Sequence, residues 1–116
     1  MAVRTFAAID VGSFELELGI YEMTYKTGIR RIDHVRHVIA LGKDTYSTGK
    51  ISYELVEEMC QVLEEFVQIM KSYKVKDYRA YATSAMREAH NRQIILDQIR
   101  VRTGLTVRII LSLIHI

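Results

Sequence analysis

Two short stretches hold the residue types that phosphate chemistry needs. In Thr5-Phe6-Ala7-Ala8-Ile9-Asp10-Val11-Gly12-Ser13, an apolar run delivers one acid into a glycine turn. A strand buried on both faces holds Phe, Ala and Ile, so an acid at its end must meet water, a cation or a donor. Gly12 admits close approach of a ligand to the backbone, and Ser13 adds a hydroxyl to main-chain N–H groups suited to a phosphate oxygen. The second stretch is Asp77-Tyr78-Arg79-Ala80-Tyr81-Ala82-Thr83-Ser84-Ala85-Met86-Arg87, a strand entering a helix through two hydroxyls. Orphan N–H groups of a first helical turn favour an anion, and Arg87 offers a planar fork for phosphate. Each stretch also has a plain reading, with Asp10 capping a hairpin, Ser84 capping a helix and Arg87 pairing with a nearby acid.

The elements between them decide whether the two stretches meet. Phe14, Leu16, Leu18 and Ile20 alternate with Glu15, Glu17, Gly19 and Tyr21, the period of a half-buried strand pairing antiparallel with the first. Residues 25–28 read as a turn and 29–41 as a third strand, with a bulge expected near His34 to Arg36 because its apolar phase slips there. His34 and His37 fall on opposite faces of that strand and do not share a metal. Gly42 to Lys50 reads as a polar surface loop, and Ile51 after Gly49-Lys50 excludes a P-loop. Ser52 is the expected N-cap of a long helix, with Ile51 placed to staple against Val56. Its apolar stripe runs from Leu55 and Val56 through Met59, Val62, Leu63 and Phe66 to Met70 and Tyr73. Asn91 is expected to cap a further helix with Ile95, Leu96 and Ile99 facing inward and Gly104 ending it, before a last strand over 105–110.

This order predicts an α/β fold. Three antiparallel strands followed by right-handed β-α-β-α-β crossovers make a mixed sheet with helices on its faces. The first and fourth strands of such a sheet lie side by side with their carboxyl ends at one edge, which sets Asp10 to Ser13 beside Thr83 to Arg87.

Composition narrows the function classes. With 49% hydrophobic and 26% charged residues among 116, the chain makes a core and forms one domain or part of one. Sixteen basic against fourteen acidic side chains give a net charge of +2, too weak to argue for nucleic acid, and no stretch resembles the Lys/Arg stripe of a DNA-binding face. The single Cys60 forms no internal disulfide, the N-terminus lacks a signal-peptide layout, and no apolar run reaches the roughly 18 residues that cross a bilayer. A cytoplasmic protein without DNA or membrane partners is expected.

Several segments together resemble a known family. Ala8 to Ser13, Leu41-Gly42 with Thr48 to Ser52, Ala82 to Asn91, and Arg102 to Leu105 with Val107 to Ile110 match in order and spacing the start of the exopolyphosphatase and guanosine pentaphosphate phosphohydrolase (Ppx/GppA) family. Ala82-Thr83-Ser84-Ala85-Met86-Arg87-Glu88-Ala89 with Asn91 is the most specific part. The resemblance implies one ribonuclease-H-like half of an actin/Hsp70-type ATPase fold, with residues 1–110 an incomplete N-terminal domain and the second half of the fold as its missing partner. It implies that Asp10 holds a magnesium ion through water, that Gly12, Ser13, Thr83, Ser84 and Arg87 bind substrate, and that water attacks a terminal phosphoryl group. The substrates implied are inorganic polyphosphate or a guanosine tetra- or pentaphosphate, and the full-length parent is expected to be capable of forming a homodimer.

Two departures accompany the resemblance. The family commonly has small polar residues and then a basic one after Gly-Ser, where this chain has Phe14, Glu15 and Glu17, so like-charge repulsion works against a polyanion. The family's catalytic glutamate follows the strand ending at Ile110, where this chain reads Leu-Ser-Leu-Ile-His-Ile, so the fragment is expected to be inactive as it stands. That hexapeptide also matches one frame of a sequencing adapter, and 111–116 is expected to be an artefactual tail. The alternative function is a non-catalytic regulatory domain that binds a phosphorylated nucleotide, and a third is an interaction domain without ligand.

Overall fold

The computed structural model describes residues 3–110. Five strands form one sheet in the order β3-β2-β1-β4-β5. β1 (Arg4–Val11) pairs antiparallel with β2 (Glu15–Thr24), which pairs antiparallel with β3 (Gly28–Val38). β1 also pairs in parallel with β4 (Asp77–Ala82), and β4 in parallel with β5 (Arg108–Ile109). The mixed sheet is therefore the expected one, with β1 at its centre.

The strand alternation read from the sequence sets which face is buried. Ala7, Ile9 and Val11 of β1, Leu16, Leu18 and Ile20 of β2, and Ala80 and Ala82 of β4 belong to one core. Helices were expected on the faces of the sheet, and among the described residues the core lies on one face alone. Both crossovers, β3 to β4 and β4 to β5, advance the same way across the sheet, so the right-handed rule places their helices on the same side.

That layer is built chiefly by α2 (Tyr53–Ser72) and α4 (Arg92–Thr103), which pack on each other. Ser52 caps α2 as expected, its hydroxyl accepting from the Leu55 N–H at 3.3 Å. Seven residues of the α2 stripe are buried, from Val56 to Met70, and each large apolar side chain among them contributes about 1.5–3 kcal/mol by leaving water. Cys60 is free and buried in this packing. Gly104 ends α4 in the left-handed conformation, as read from the sequence. Among the described residues no helix is long and apolar enough to cross a membrane.

Several expectations are corrected. Residues 42–50 are not a loop, because Leu41–Thr48 forms a helix, α1, with Leu41, Gly42 and Thr45 buried. Tertiary packing outweighs its polar composition: α1 lies against α3 (Ser84–Glu88), and the buried Thr45 hydroxyl donates to the Ala85 carbonyl at 3.0 Å. Gly49, at φ 80°, is the left-handed end of that helix. The third strand stops at Val38, since Ile39 already turns inward and donates its N–H to the Phe14 carbonyl at 3.0 Å. Its bulge falls earlier than expected: Ile20 pairs with Asp33 and Tyr21 with Arg31, leaving Ile32 as the extra residue. The Asn91 side chain does not cap α4, because it bonds both the N–H and the carbonyl of Ile51 and ties that segment down. The last strand is shorter than 105–110, with Arg108–Ile109 alone in the ladder. The tail expectation for 111–116 lies outside the described residues.

Candidate functional site

The parallel pairing of β1 and β4 brings the two candidate stretches to one edge. Val11 is level with Ala82, and the Thr83 N–H donates to the Val11 carbonyl at 3.2 Å, so both strands release their chains at the same height. Beyond that point the hydroxyls of Ser13 and Ser84 share a hydrogen bond at 3.1 Å. Ile110 arrives beside them, its N–H donating to the Ala82 carbonyl at 2.9 Å. Three strand ends thus make one mouth, which is the juxtaposition the topology required.

Asp10 points to the open face of the sheet with Glu17 directly opposite on β2. Burial pushes the Asp10 carboxyl above its usual range, and the charges of Glu17 and Glu15 push it further. A cavity of 460 Å³ on this face is lined by Asp10, Glu17, His34, Tyr81 and Thr83 among others, so the acid and the Thr83 end of the second stretch open into the same space. Glu15 and Glu17 do not stand as bare charges: Glu15 pairs with Arg36 at 2.9 Å and Glu17 meets His34 at 3.3 Å. The repulsion expected from Glu15 is thereby partly balanced by Arg36 of β3. His37 points the other way, to Glu58 of α2 at 2.9 Å, so the two histidines do occupy opposite faces.

A cation at Asp10 would be held mainly by water. Among the described residues no group of three or more His, Cys, Asp or Glu side chains is gathered as a metal cage. Two facing carboxylates supply hard oxygen donors, which fit magnesium, an ion that keeps most of its water shell.

Each remaining residue has a definite place. The Gly12 N–H donates to the Glu15 carbonyl at 2.9 Å to close the turn, while among the described residues the Ser13 and Phe14 amides have no protein partner. Phe14 was expected on the apolar side of its strand, yet it lies before β2 begins and is 60% exposed at the turn. Thr83 is the cap residue of α3 without a side-chain cap bond, and Ser84 is its first helical residue, so the Ser84 hydroxyl is turned toward Ser13 instead of capping. Arg87 does not present its fork to the hydroxyls, because Nε meets Glu88 at 3.3 Å and Nη1 donates to the Ile110 carbonyl at 3.1 Å.

Sequence reasoning missed one member of this cluster. The Tyr46 hydroxyl lies 2.6 Å from Ser84 Oγ and 3.3 Å from Ser13 Oγ. Those two hydrogen bonds, with a smaller contribution from the Arg87 charge, hold the phenol below its ordinary range. The four-residue steps from Leu41 to Thr45 and from Gly42 to Tyr46, ahead of a terminating glycine, were the available signal for α1.

Comparisons with known proteins bear on the family and the fold. The description Ppx/GppA phosphatase family fits residues 20–112. Exopolyphosphatase 1 of Mycobacterium bovis is 27% identical over 100 residues, covering 86% of this chain and 29% of that protein. The chain therefore spans less than a third of the length of that curated relative. The crystal structure of the Aquifex aeolicus Ppx/GppA family member superposes with a TM-score of 0.90 at 29% identity, over 94% of this chain and 35% of the other. RuvC from Thermus thermophilus, at a TM-score of 0.52 and 12% identity over 91% of this chain and 63% of that one, shows the fold alone.

Proposed function

This chain belongs to the Ppx/GppA phosphatase family, and from that premise we propose that it supplies the phosphate-binding part of a phosphohydrolase acting on the terminal phosphoryl group of inorganic polyphosphate or guanosine pentaphosphate. The observation that carries the reading is the 3.1 Å contact of Ser13 and Ser84, which joins two phosphate-type turns at one mouth.

In this reading the amides of Ser13 and Phe14 and the hydroxyls of Ser13, Thr83 and Ser84 bind terminal phosphate oxygens. Gly12 keeps the turn low enough for the chain of phosphates to pass. Arg87 contributes its charge at the rim while tied to Glu88 and Ile110. Asp10, facing Glu17, is the residue that would hold magnesium, which when bound supplies charge neutralisation at the transferring phosphoryl group. The residues named here orient the substrate for in-line attack by water, and their donors stabilise the charge that develops at the transferring phosphoryl group.

The test is phosphate release from polyphosphate and from guanosine pentaphosphate, by the chain and by a longer protein that carries it, with and without magnesium and with Asp10→Ala. Magnesium-dependent release that Asp10→Ala abolishes is expected of the longer protein. Tight binding of either substrate with no release under any of these conditions would replace the enzyme reading with a binding one.

A further inference from the structure

We propose that the Tyr46 hydroxyl is a third phosphate-binding group, joining Ser13 and Ser84 in a three-hydroxyl cradle that receives a single phosphate oxygen. The proposal rests on the phosphate-binding reading above and adds to it a residue that lies on neither phosphate-type turn.

The three oxygens come from three separate elements. Ser13 lies on the β1–β2 turn, Tyr46 on α1 and Ser84 on α3, and the separations are 2.6, 3.1 and 3.3 Å. Without an anion each hydroxyl donates to the next around the triangle. Rotation about the three C–O bonds turns all three donors to one acceptor above the triangle, with no movement of the backbone. Three neutral hydrogen bonds are then exchanged for three charge-assisted ones, each roughly twice as strong.

The position of Tyr46 is fixed by its backbone and not by burial of its ring, which is 57% exposed. Two contacts hold α1 in place: the Gly42 N–H donates to the Ser13 carbonyl at 2.7 Å, and the Thr45 hydroxyl donates to the Ala85 carbonyl at 3.0 Å. A Cβ on residue 42 would stand 3.0 Å from both Ser13 Cβ and Tyr46 Cε2, so the helix approaches the turn as closely as a bare glycine allows. Phe14, whose ring also reaches residue 42, and Tyr46 leave an aromatic rim around the hydroxyls. A phenol is a stronger donor than an aliphatic hydroxyl, so it adds affinity for phosphate without adding a charge.

The experiment compares the unchanged chain, Tyr46→Phe and Ser84→Ala in calorimetric titrations with tripolyphosphate, alongside thermal melts. Tyr46→Phe is expected to weaken tripolyphosphate by about tenfold, as loss of one hydrogen bond to a charged group does, with the melt unchanged. A second readout is a single 3-fluorotyrosine at position 46, whose fluorine resonance is expected to shift along the calorimetric curve. Equal affinity in Tyr46→Phe together with weakened binding in Ser84→Ala would overturn the role of Tyr46 and leave the phosphate site standing. An unmoved fluorine resonance at saturation would overturn it as well. No binding of tripolyphosphate to the unchanged chain would remove the site itself.

Discussion

The hydroxyl oxygens of Ser13 and Ser84 lie 3.1 Å apart although 71 positions separate them along the chain. Neither residue is a neighbour of the other in any local element. Their meeting follows from β1 and β4 running parallel and side by side, with Val11 and Ala82 in register two residues earlier.

Removing either hydroxyl should act on binding more than on folding. Ser13→Ala and Ser84→Ala are each expected to cost about 1.5 kcal/mol in phosphate affinity, roughly tenfold, and less than that in stability because both groups are near solvent. The double variant should lose less than the sum, since the two hydroxyls act together. Calorimetry across the four members of the cycle measures this, and strict additivity would mean that the contact is incidental.

Asp10 sets a pH dependence with a defined sign. Its carboxyl is raised by burial and by Glu17 and Glu15, so the folded chain holds that proton more tightly than the unfolded chain does. The stability this group contributes is present below its unfolded value near 3.8 and is lost as pH rises through the raised folded value. Asp10→Asn should therefore melt higher than the unchanged chain at pH 7, by about 0.5 kcal/mol for relief of a directly opposed like-charge pair, and show no such gain at pH 3.5. Magnesium should raise the melting temperature of the unchanged chain and leave Asp10→Asn unmoved. Paired urea and thermal melts at the two pH values check both statements.

Gly42→Ala tests how closely α1 must sit on the first turn. The new methyl would meet Ser13 Cβ and Tyr46 Cε2 at 3.0 Å, and α1 would have to back away. A loss of about 1–3 kcal/mol is expected from overpacking, together with weaker tripolyphosphate binding. Full binding with full stability would show that the approach is looser than these distances imply.

Arg102 joins the two main helices away from the site. It bonds Glu57 and Glu64 of α2 from the last turn of α4, and these bonds push its guanidinium further above an already high range. All three side chains are partly in water, so Arg102→Ala should cost little stability, and that cost should shrink in high salt. Phosphate binding should be unaffected. Denaturant melts at low and high salt give the answer.

The elements legible in the sequence are those with a strong local period. The alternation over Leu16 to Ile20 marked β2, the stripe from Val56 to Met70 with its Ser52 cap marked α2, and the left-handed glycine at 104 marked the end of α4. Asp10, Ser13, Thr83 and Ser84 were legible because a polar group where an apolar strand ends has few other reasons to be there. The helix α1 left only a faint signal, its four-residue steps, because Asp44, Ser47 and Thr48 favour caps and turns and its buried side is only Leu41, Gly42 and Thr45. Arg87 was read as a phosphate fork, and its tie to the Ile110 carbonyl, in the segment just past β5 and 23 residues on, is a contact that no local pattern reveals.

Local chemistry along the chain thus determined the strands, the long helix and the candidate groups, since alternation, helical stripes and caps depend on residues a few positions apart. The tertiary structure alone decided which groups meet. Strand order and the shared direction of two crossovers put three strand ends at one edge, and the packing of α1 on α3 carried Tyr46 to the pair of serines. Distance along a chain holds no information about such contacts, because the core that enforces them is assembled from every element at once.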